Sequence, residues 1–220
     1  MSTDFYLKQL SLHEGITSPY LNKVYNLSLR NNQNKRVMKV DTQKSLLTSV
    51  PYLSSQHCDD RPENTLIDLI VIHGISLPPG DFGSGSVQKF FCDELDFSQH
   101  PYFSTIAHLR VSAHLFIDRR GNVTQFVPFA KRAWHAGQSS FEGRTVCNDF
   151  SIGIELEGTD ELPYEQAQYK ALAQVIKALL LAYPGITQDR IVGHSDIAPG
   201  RKTDPGPTFD WSYLQDLLKA

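Results

Sequence analysis

Two short apolar runs, each followed by a histidine, constrain the fold of this chain more than any other feature. Leu69 to Ile72 precede His73, and Ile191 to Gly193 precede His194. Runs of this length are typical of buried strands, whose ends display side chains on a fixed scaffold. The pattern fits a structural histidine as well as a metal ligand, so the choice between them depends on the neighbouring segments.

The segment from His194 to Pro207 places an ammonium, Lys202, and a carboxylate, Asp204, close to the second histidine. Its prolines fix φ at several positions, and its Pro and Gly content predicts a rigid loop rather than a helix. A rigid loop suits a metal site because the ligands already lie near their final geometry. With His73, the segment would supply three protein ligands and leave a fourth position open to water, the pattern of catalytic zinc.

Composition and charge exclude several classes of protein. The chain has 220 residues, of which 40% are hydrophobic and 20% charged, enough for one buried core. A formal net charge of -3 gives no reason to expect a nucleic-acid partner. No run approaches the ~18 apolar residues of a membrane span. No obligate protein partner is evident.

The N-terminal sequence and the cysteines predict a cytoplasmic protein. Residues 1–6 lack the basic region and apolar stretch of a secretory signal. Cys58, Cys92 and Cys147 are isolated and odd in number, which is typical of reduced thiols rather than of a disulfide framework. A cysteine zinc ligand would need a spacing that this chain does not have.

Residues 1–55 differ from the rest and predict an N-terminal extension that is loosely ordered or disordered. Leu27 to Lys44 is polar and basic and has neither helical nor strand periodicity. A docking element for a partner is the alternative interpretation. Residues 56–220 then form the catalytic domain.

Predicted strands and helices alternate through this domain. Leu66 to Ile72 is apolar except for Asp68, as expected of a central strand, and residues 112–127 predict a hairpin. Ser151 to Glu157 alternates in polarity like a strand, and Glu165 to Tyr183 has the spacing of an amphipathic helix. The fold class that follows is α/β, a single domain with a central mixed β-sheet flanked by helices.

Five motifs stand in the order of a known enzyme family. They are Val71 to His73 with Ile75 to Gly80, Ile106 to His114, Lys131 to Gly137, Cys147 to Asp160, and His194 to Pro207. Through them, from Cys58 to Trp211, the chain resembles the AmpD-type 1,6-anhydro-N-acetylmuramoyl-L-alanine amidases, zinc enzymes of bacterial cell-wall recycling. The resemblance implies the fold of the peptidoglycan-recognition proteins and phage-lysozyme-type amidases.

The resemblance also implies a ligand set and a general base, and the position of Lys202 indicates a second catalytic role. One zinc ion per chain would have three protein ligands, His73, His194 and Asp204. Glu155 and Glu157 share one strand face, so periodicity cannot choose the general base between them. The resemblance assigns that role to Glu155. Lys202, two residues before Asp204, is placed by its short loop to face the same cavity, where its fixed charge suits the oxyanion of a tetrahedral intermediate; a solvated loop lysine is the alternative.

Further residues of the motifs are candidates for binding an anhydro-muropeptide substrate. These candidates are Arg110, Trp134, His135 and Asn148. Two of the motif histidines, His114 and His135, are expected behind the ligands or on the substrate side. Gly74 departs from the family pattern, which usually has Asn after the first ligand, so the hydrogen bond of that side chain is not expected in this chain.

The predicted reaction is hydrolysis of the amide between 1,6-anhydro-N-acetylmuramic acid and L-alanine. One alternative is a broader N-acetylmuramoyl-L-alanine amidase that acts on intact wall and would need export. Another is a module of the same fold that binds muropeptides without cutting them. Such binders typically lack a ligand, whereas this chain retains the complete set together with Glu155 and Lys202.

Overall fold

The structure, a computed structural model, describes residues 38–220. The strands, in chain order, are β1 (Val40–Asp41), β2 (Leu46–Leu47), β3 (Cys58–Asp60), β4 (Leu69–Ile75), β5 (Leu115–Ile117), β6 (Val123–Gln125), β7 (Lys131–Ala133), β8 (Ser140–Phe141), β9 (Arg144–Thr145), β10 (Ser151–Glu157) and β11 (Ile191–Gly193). The helices are α1 (Ser86–Phe91), α2 (Pro101–Ile106), α3 (Gln166–Ala182), α4 (His194–Ile197) and α5 (Trp211–Lys219).

Five strands form the central sheet, in the order β11-β4-β10-β5-β6. The first four are mutually parallel, and β6 pairs antiparallel with β5. Parallel strands end at the same edge, and in open α/β sheets that edge is where ligands bind. The predicted mixed sheet is therefore confirmed, and its topology brings β4, β10 and the residue after β11 to one edge.

The two faces of β10 have different surroundings. Ile152, Ile154 and Leu156 join the apolar cluster under α3, where Leu172 and Ile176 are also buried. Gly153, Glu155 and Glu157 occupy the opposite face, as the alternation predicts. The helix itself begins after Glu165, whose backbone N–H donates to the Gln168 side-chain oxygen at 3.0 Å, and it ends before Tyr183.

The hairpin between β5 and β6 is also confirmed. Gly121 has φ 80, a left-handed conformation that glycine adopts without a steric penalty. The Asp118 carboxylate accepts hydrogen bonds from the backbone of Arg120 and Asn122, each at 2.9 Å. These bonds hold the turn between the strands.

The N-terminal boundary needs a correction in the described residues. β1 pairs with β2, and Leu47 is 5% exposed within the main apolar cluster. The Leu47 N–H donates to the Gln125 side-chain oxygen at 2.7 Å, and Leu53 and Ser55 bond to the β6 edge and the residue after it. Residues 38–55 are thus packed rather than loosely ordered. The rest of the predicted extension lies outside the described residues.

No helix within residues 38–220 is long and apolar enough to cross a bilayer.

Candidate active site

Three predicted ligands meet at the C-terminal edge of the sheet. The Nδ1 atoms of His73 and His194 are 2.9 Å apart, and each lies 3.1 Å from Oδ2 of Asp204. His73 and His194 are almost fully buried, and Asp204 is partly buried. The sequence prediction that these three side chains come together therefore agrees with the geometry.

The local structure around the ligands differs from the prediction in two ways. β4 continues through Ile75, so His73 lies within the strand and not at its end. His194 is the first residue of α4, a single helical turn in the segment that was predicted to be too rich in Pro and Gly for any helix. One turn forms because the Asp196 carboxylate accepts from the Gly193 N–H at 2.7 Å.

Backbone hydrogen bonds hold the segment after α4 close to His194. The Ser195 N–H donates to the Asp204 carbonyl at 3.0 Å, and the Lys202 N–H donates to Ala198 at 3.0 Å. The Tyr164 hydroxyl donates to the carbonyl of Pro205 at 2.9 Å. These bonds fix the position of Asp204.

The outer nitrogen of His194 shows which atom faces the site. Nε2 lies 3.1 Å from the carbonyl of Ala136. A carbonyl oxygen only accepts, whereas Nη2 of Arg201, 3.4 Å from the same nitrogen, donates to the carbonyls of Ala136 and Gln138 at shorter distances. The closer contact therefore assigns the proton of His194 to Nε2, and the lone pair of Nδ1 faces His73 and Asp204. Electron-pair donors turned toward one another fit a cation, and two imidazoles with one carboxylate are a donor set that zinc accepts.

Burial sets the protonation of the ligands. It lowers the pKa of His73 to about 4, so this imidazole is neutral at pH 7, as a ligand must be. Burial alone would raise the pKa of Asp204, but its close contacts with His194 and His73 outweigh that effect and hold the pKa well below its usual range. Asp204 is therefore ionised.

Glu155 occupies the same edge of the sheet. It pairs in register with His73 on the adjacent parallel strand, is 9% exposed, and lines the cavity beside the ligands. Its Oε2 has no hydrogen-bond partner among the described residues. Burial raises the pKa of Glu155 well above its usual value, and the negative charge of Asp204 raises it further.

Glu157 has a different environment although it shares the strand face. Its Oε1 accepts from the Gly83 N–H at 2.6 Å, and its Oε2 accepts from the Arg119 N–H at 3.1 Å. Both oxygens are thus engaged by backbone groups of neighbouring loops. Glu157 is outside the cavity lining, so the geometry favours Glu155 as the carboxylate available for chemistry.

The ligands open onto a cavity of about 360 Å³. Its polar lining residues include Lys202, an exposed residue whose charge opposes the effect of burial on the pKa of Glu155. Its apolar lining residues come from the loop after β4, from α1 and α2, and from the residues after α2. They include Leu77, Phe90, Tyr102, Ile106, Leu109 and Val111.

Three of the four predicted substrate-binding residues do not line this cavity. Arg110 is exposed and donates to the carbonyls of Ala107 and Leu109, both at 3.0 Å. The Trp134 indole donates to Asp59 at 3.1 Å. Asn148 accepts from two backbone N–H groups, those of His135 at 3.1 Å and of Ala136 at 2.8 Å. All three hold the protein's own backbone or side chains instead.

His114 and His135, the two other histidines of the motifs, have different surroundings. His114 is fully buried away from the cavity, with Nδ1 accepting from the Gly153 N–H at 3.0 Å and Nε2 at 3.1 Å from the Lys131 carbonyl. It does not line the cavity, and its ring centroid lies 5.8 Å from that of His135, so of its two predicted places the one behind the ligands fits and the substrate side does not. His135 lines the cavity and lies behind His73, with its Nδ1 2.9 Å from Nε2 of that ligand.

The sequence and the fold both match known proteins. Residues 62–207 match the N-acetylmuramoyl-L-alanine amidase family. The chain belongs to that family. It is 54% identical over 178 residues to the 1,6-anhydro-N-acetylmuramyl-L-alanine amidase AmpD of Haemophilus influenzae, a match that covers 80% of this chain and 97% of the relative.

Solved structures also support the assignment of this chain to the amidase family. The crystal structure of a selenomethionine AmpD derivative is 52% identical, with a TM-score of 0.79, and covers 82% of this chain and 99% of that one. The Escherichia coli amidase AmiD, in complex with the substrate anhydro-N-acetylmuramic acid-L-Ala-D-gamma-Glu-L-Lys, is 31% identical with a TM-score of 0.51. That match covers 71% of this chain and 60% of AmiD. The predicted AmpD-type resemblance, enzyme class and fold are confirmed.

Sequence reasoning missed several residues that shape the site of the amidase. A Cβ atom at Gly74 would lie 2.2 Å from the Tyr164 hydroxyl, and one at Gly153 would lie 2.4 Å from the ring of His135. Each glycine therefore makes room for a side chain that supports the site. A glycine inside a strand is the signal that could have revealed these close approaches.

Proposed function

We propose that this amidase hydrolyses the amide between 1,6-anhydro-N-acetylmuramic acid and L-alanine of muropeptides, in the recycling of peptidoglycan, with one zinc ion per chain. This substrate is supported by its AmpD relatives, which are 1,6-anhydro-N-acetylmuramyl-L-alanine amidases, and by the muropeptide bound to AmiD. The observation that carries the proposal is the ligand set itself, since His73, His194 and Asp204 converge beside Glu155, a buried carboxylate with a free oxygen.

Zinc, when bound, supplies Lewis-acid activation of water and of the scissile carbonyl. Glu155 takes the proton from the attacking water and passes it to the leaving amine. A base must be ionised, and a nearby divalent cation offsets the effect of burial on the pKa of Glu155. The charge of Lys202, at the cavity wall, stabilises the oxyanion that develops on the carbonyl oxygen.

The lining of the cavity supports a small muropeptide as the substrate. Its apolar residues, which include Leu77 and Phe90, suit the apolar face of a sugar. Its polar residues, which include Lys202 and Asp204, suit the amide and the peptide backbone. The cytoplasmic location predicted from the sequence stays a prediction.

Metal analysis combined with turnover tests the proposal. The purified amidase should contain one zinc ion per chain and should cleave an anhydro-muropeptide much faster than it cleaves intact peptidoglycan sacculi. Equal rates on both substrates would favour the broader wall amidase instead. Full activity after exhaustive zinc removal would reject the zinc mechanism.

A further inference from the structure

The Ser151 hydroxyl begins a chain of hydrogen bonds that ends at a predicted zinc ligand. Ser151 is fully buried, and its Oγ donates to the carbonyl of Cys147 at 2.6 Å. A hydroxyl has one proton, and a carbonyl can only accept, so that proton is committed. Oγ also lies 3.1 Å from Nε2 of His135, and it must therefore accept from a proton on Nε2.

That proton determines what His135 does on its other side. A neutral imidazole with its proton on Nε2 has a lone pair on Nδ1. The Nδ1 atom lies 2.9 Å from Nε2 of His73. His73 must then donate from Nε2, which leaves the lone pair of its Nδ1 facing His194 and Asp204.

The surrounding backbone holds His135 in this place. Gly153 leaves the space across β10 that the imidazole fills, since a Cβ atom there would lie within 2.6 Å of three ring atoms. Asn148 accepts from the backbone N–H groups of His135 and Ala136. The Ala136 carbonyl in turn accepts from Nε2 of His194, so one loop sets the outer nitrogens of both histidine ligands.

We propose that Ser151 and His135 form a positioning relay that fixes the tautomer and orientation of His73, so that its Nδ1 lone pair faces the metal site before a metal binds. His135 is then a positioning residue rather than a substrate-binding one. The inference rests on the proposed zinc site, and it goes further by assigning a task to two residues outside the ligand set. Outer partners of this kind typically change metal affinity by about 10- to 100-fold.

Zinc affinity, measured on the full chain by competition with a chromophoric chelator, tests the relay without using activity. Ser151→Ala removes the acceptor for His135, while the Cys147 carbonyl keeps a bond from the Phe150 N–H. We expect this variant to bind zinc about 10- to 100-fold more weakly than the wild type. The matched control is Ser139→Ala, because Ser139 is a buried serine of the same region that bonds to Gly137 and Cys147 but does not touch the relay.

Two variants of His135 separate the relay from simple packing. His135→Leu fills space without an acceptor and should weaken zinc binding at least as much as Ser151→Ala. His135→Asn places an amide oxygen near the former Nδ1 and should recover part of the loss. Equal zinc affinities for the leucine and asparagine variants would show that His135 acts by volume alone and would overturn the relay.

The tautomers can be read directly in the metal-free wild type, so the test does not depend on variants that fold poorly. Long-range ¹H–¹⁵N spectra should show His135 and His73 protonated at Nε2, and Ser151→Ala should shift His135 toward protonation at Nδ1. A wild-type His135 protonated at Nδ1 would overturn the relay. A wild type with these tautomers that binds no zinc would instead reject the proposed function.

Discussion

Glu155 and His73 lie side by side in register on adjacent parallel strands, with their side chains on the same face of the sheet. Neighbouring strands are about 4.8 Å apart, so the carboxylate is next to the ligand without belonging to the ligand set. This places a proton acceptor beside the metal site on rigid elements. The arrangement leads to predictions for the ligands, for Glu155 and for the residues that hold them.

Replacing Asp204 with Ala should abolish turnover and weaken zinc binding by orders of magnitude, since it is one of three protein ligands. Metal analysis after dialysis measures the loss. Glu161→Ala is the control, because Glu161 is an exposed carboxylate outside the cavity lining. Retention of one zinc ion per chain by Asp204→Ala would remove Asp204 from the ligand set.

Zinc binding should release more protons from the wild type than from Glu155→Gln. In the metal-free protein, burial raises the pKa of Glu155, so the group keeps its proton to higher pH than an ordinary carboxyl. The charge of a bound zinc ion lowers that pKa, and the proton leaves. Calorimetric titrations in buffers of different ionisation enthalpy, near neutral pH, count the protons. Equal release by both proteins would mean that Glu155 is already ionised before the metal binds.

Gly74→Ala should destabilise the protein by about 1–3 kcal/mol through overpacking, because the new Cβ would meet the Tyr164 hydroxyl. It should also weaken zinc binding, since Tyr164 holds the Pro205 carbonyl next to Asp204. Tyr164→Phe removes the clashing oxygen. In a double-mutant cycle followed by denaturant unfolding, the alanine should therefore cost less in the phenylalanine background. Additive costs would show that the two side chains do not compete for space.

Deleting residues 1–37 should leave zinc content and stability close to those of the full chain, because the described core and site lie within residues 38–220. Deleting residues 1–55 should reduce thermal stability strongly, since it removes Leu47 from the core and exposes Gln125. Loss of a buried leucine alone typically costs about 2–5 kcal/mol. Thermal melts of both truncations check the domain boundary. Equal melting temperatures would support the boundary predicted at residue 55.

Regular elements with strong periodicity were predictable from the sequence. β10 spans Ser151–Glu157 as predicted, and α3 lies within the predicted range of Glu165 to Tyr183. Alternation over seven residues and apolar spacing over seventeen leave few other arrangements. β1 and β2 have two residues each, too few for any periodicity, so the packing of residues 38–55 was missed.

Long-range partners of polar side chains were not predictable. Trp134 bonds to Asp59, 75 residues away in sequence, and nothing local to Trp134 indicates that this bond replaces a contact with substrate. The relay from Ser151 to His135 and His73 likewise joins three separate elements. The ligand set was predicted because the family motifs carried it, whereas spacing alone left structural histidines as an equal alternative.

The most direct test of the account compares the rates of zinc-loaded Glu155→Gln and Glu157→Gln on an anhydro-muropeptide. Glutamine at 155 keeps the shape of the side chain but lacks the basic oxygen, so its rate should fall by about 10²–10⁴-fold with zinc content unchanged. Glutamine at 157 loses one of two acceptors for backbone N–H groups, so it should lower stability more than rate. An inactive Glu157→Gln beside an active Glu155→Gln would contradict the assignment of the base. Full activity in both variants would remove a carboxylate base from the mechanism.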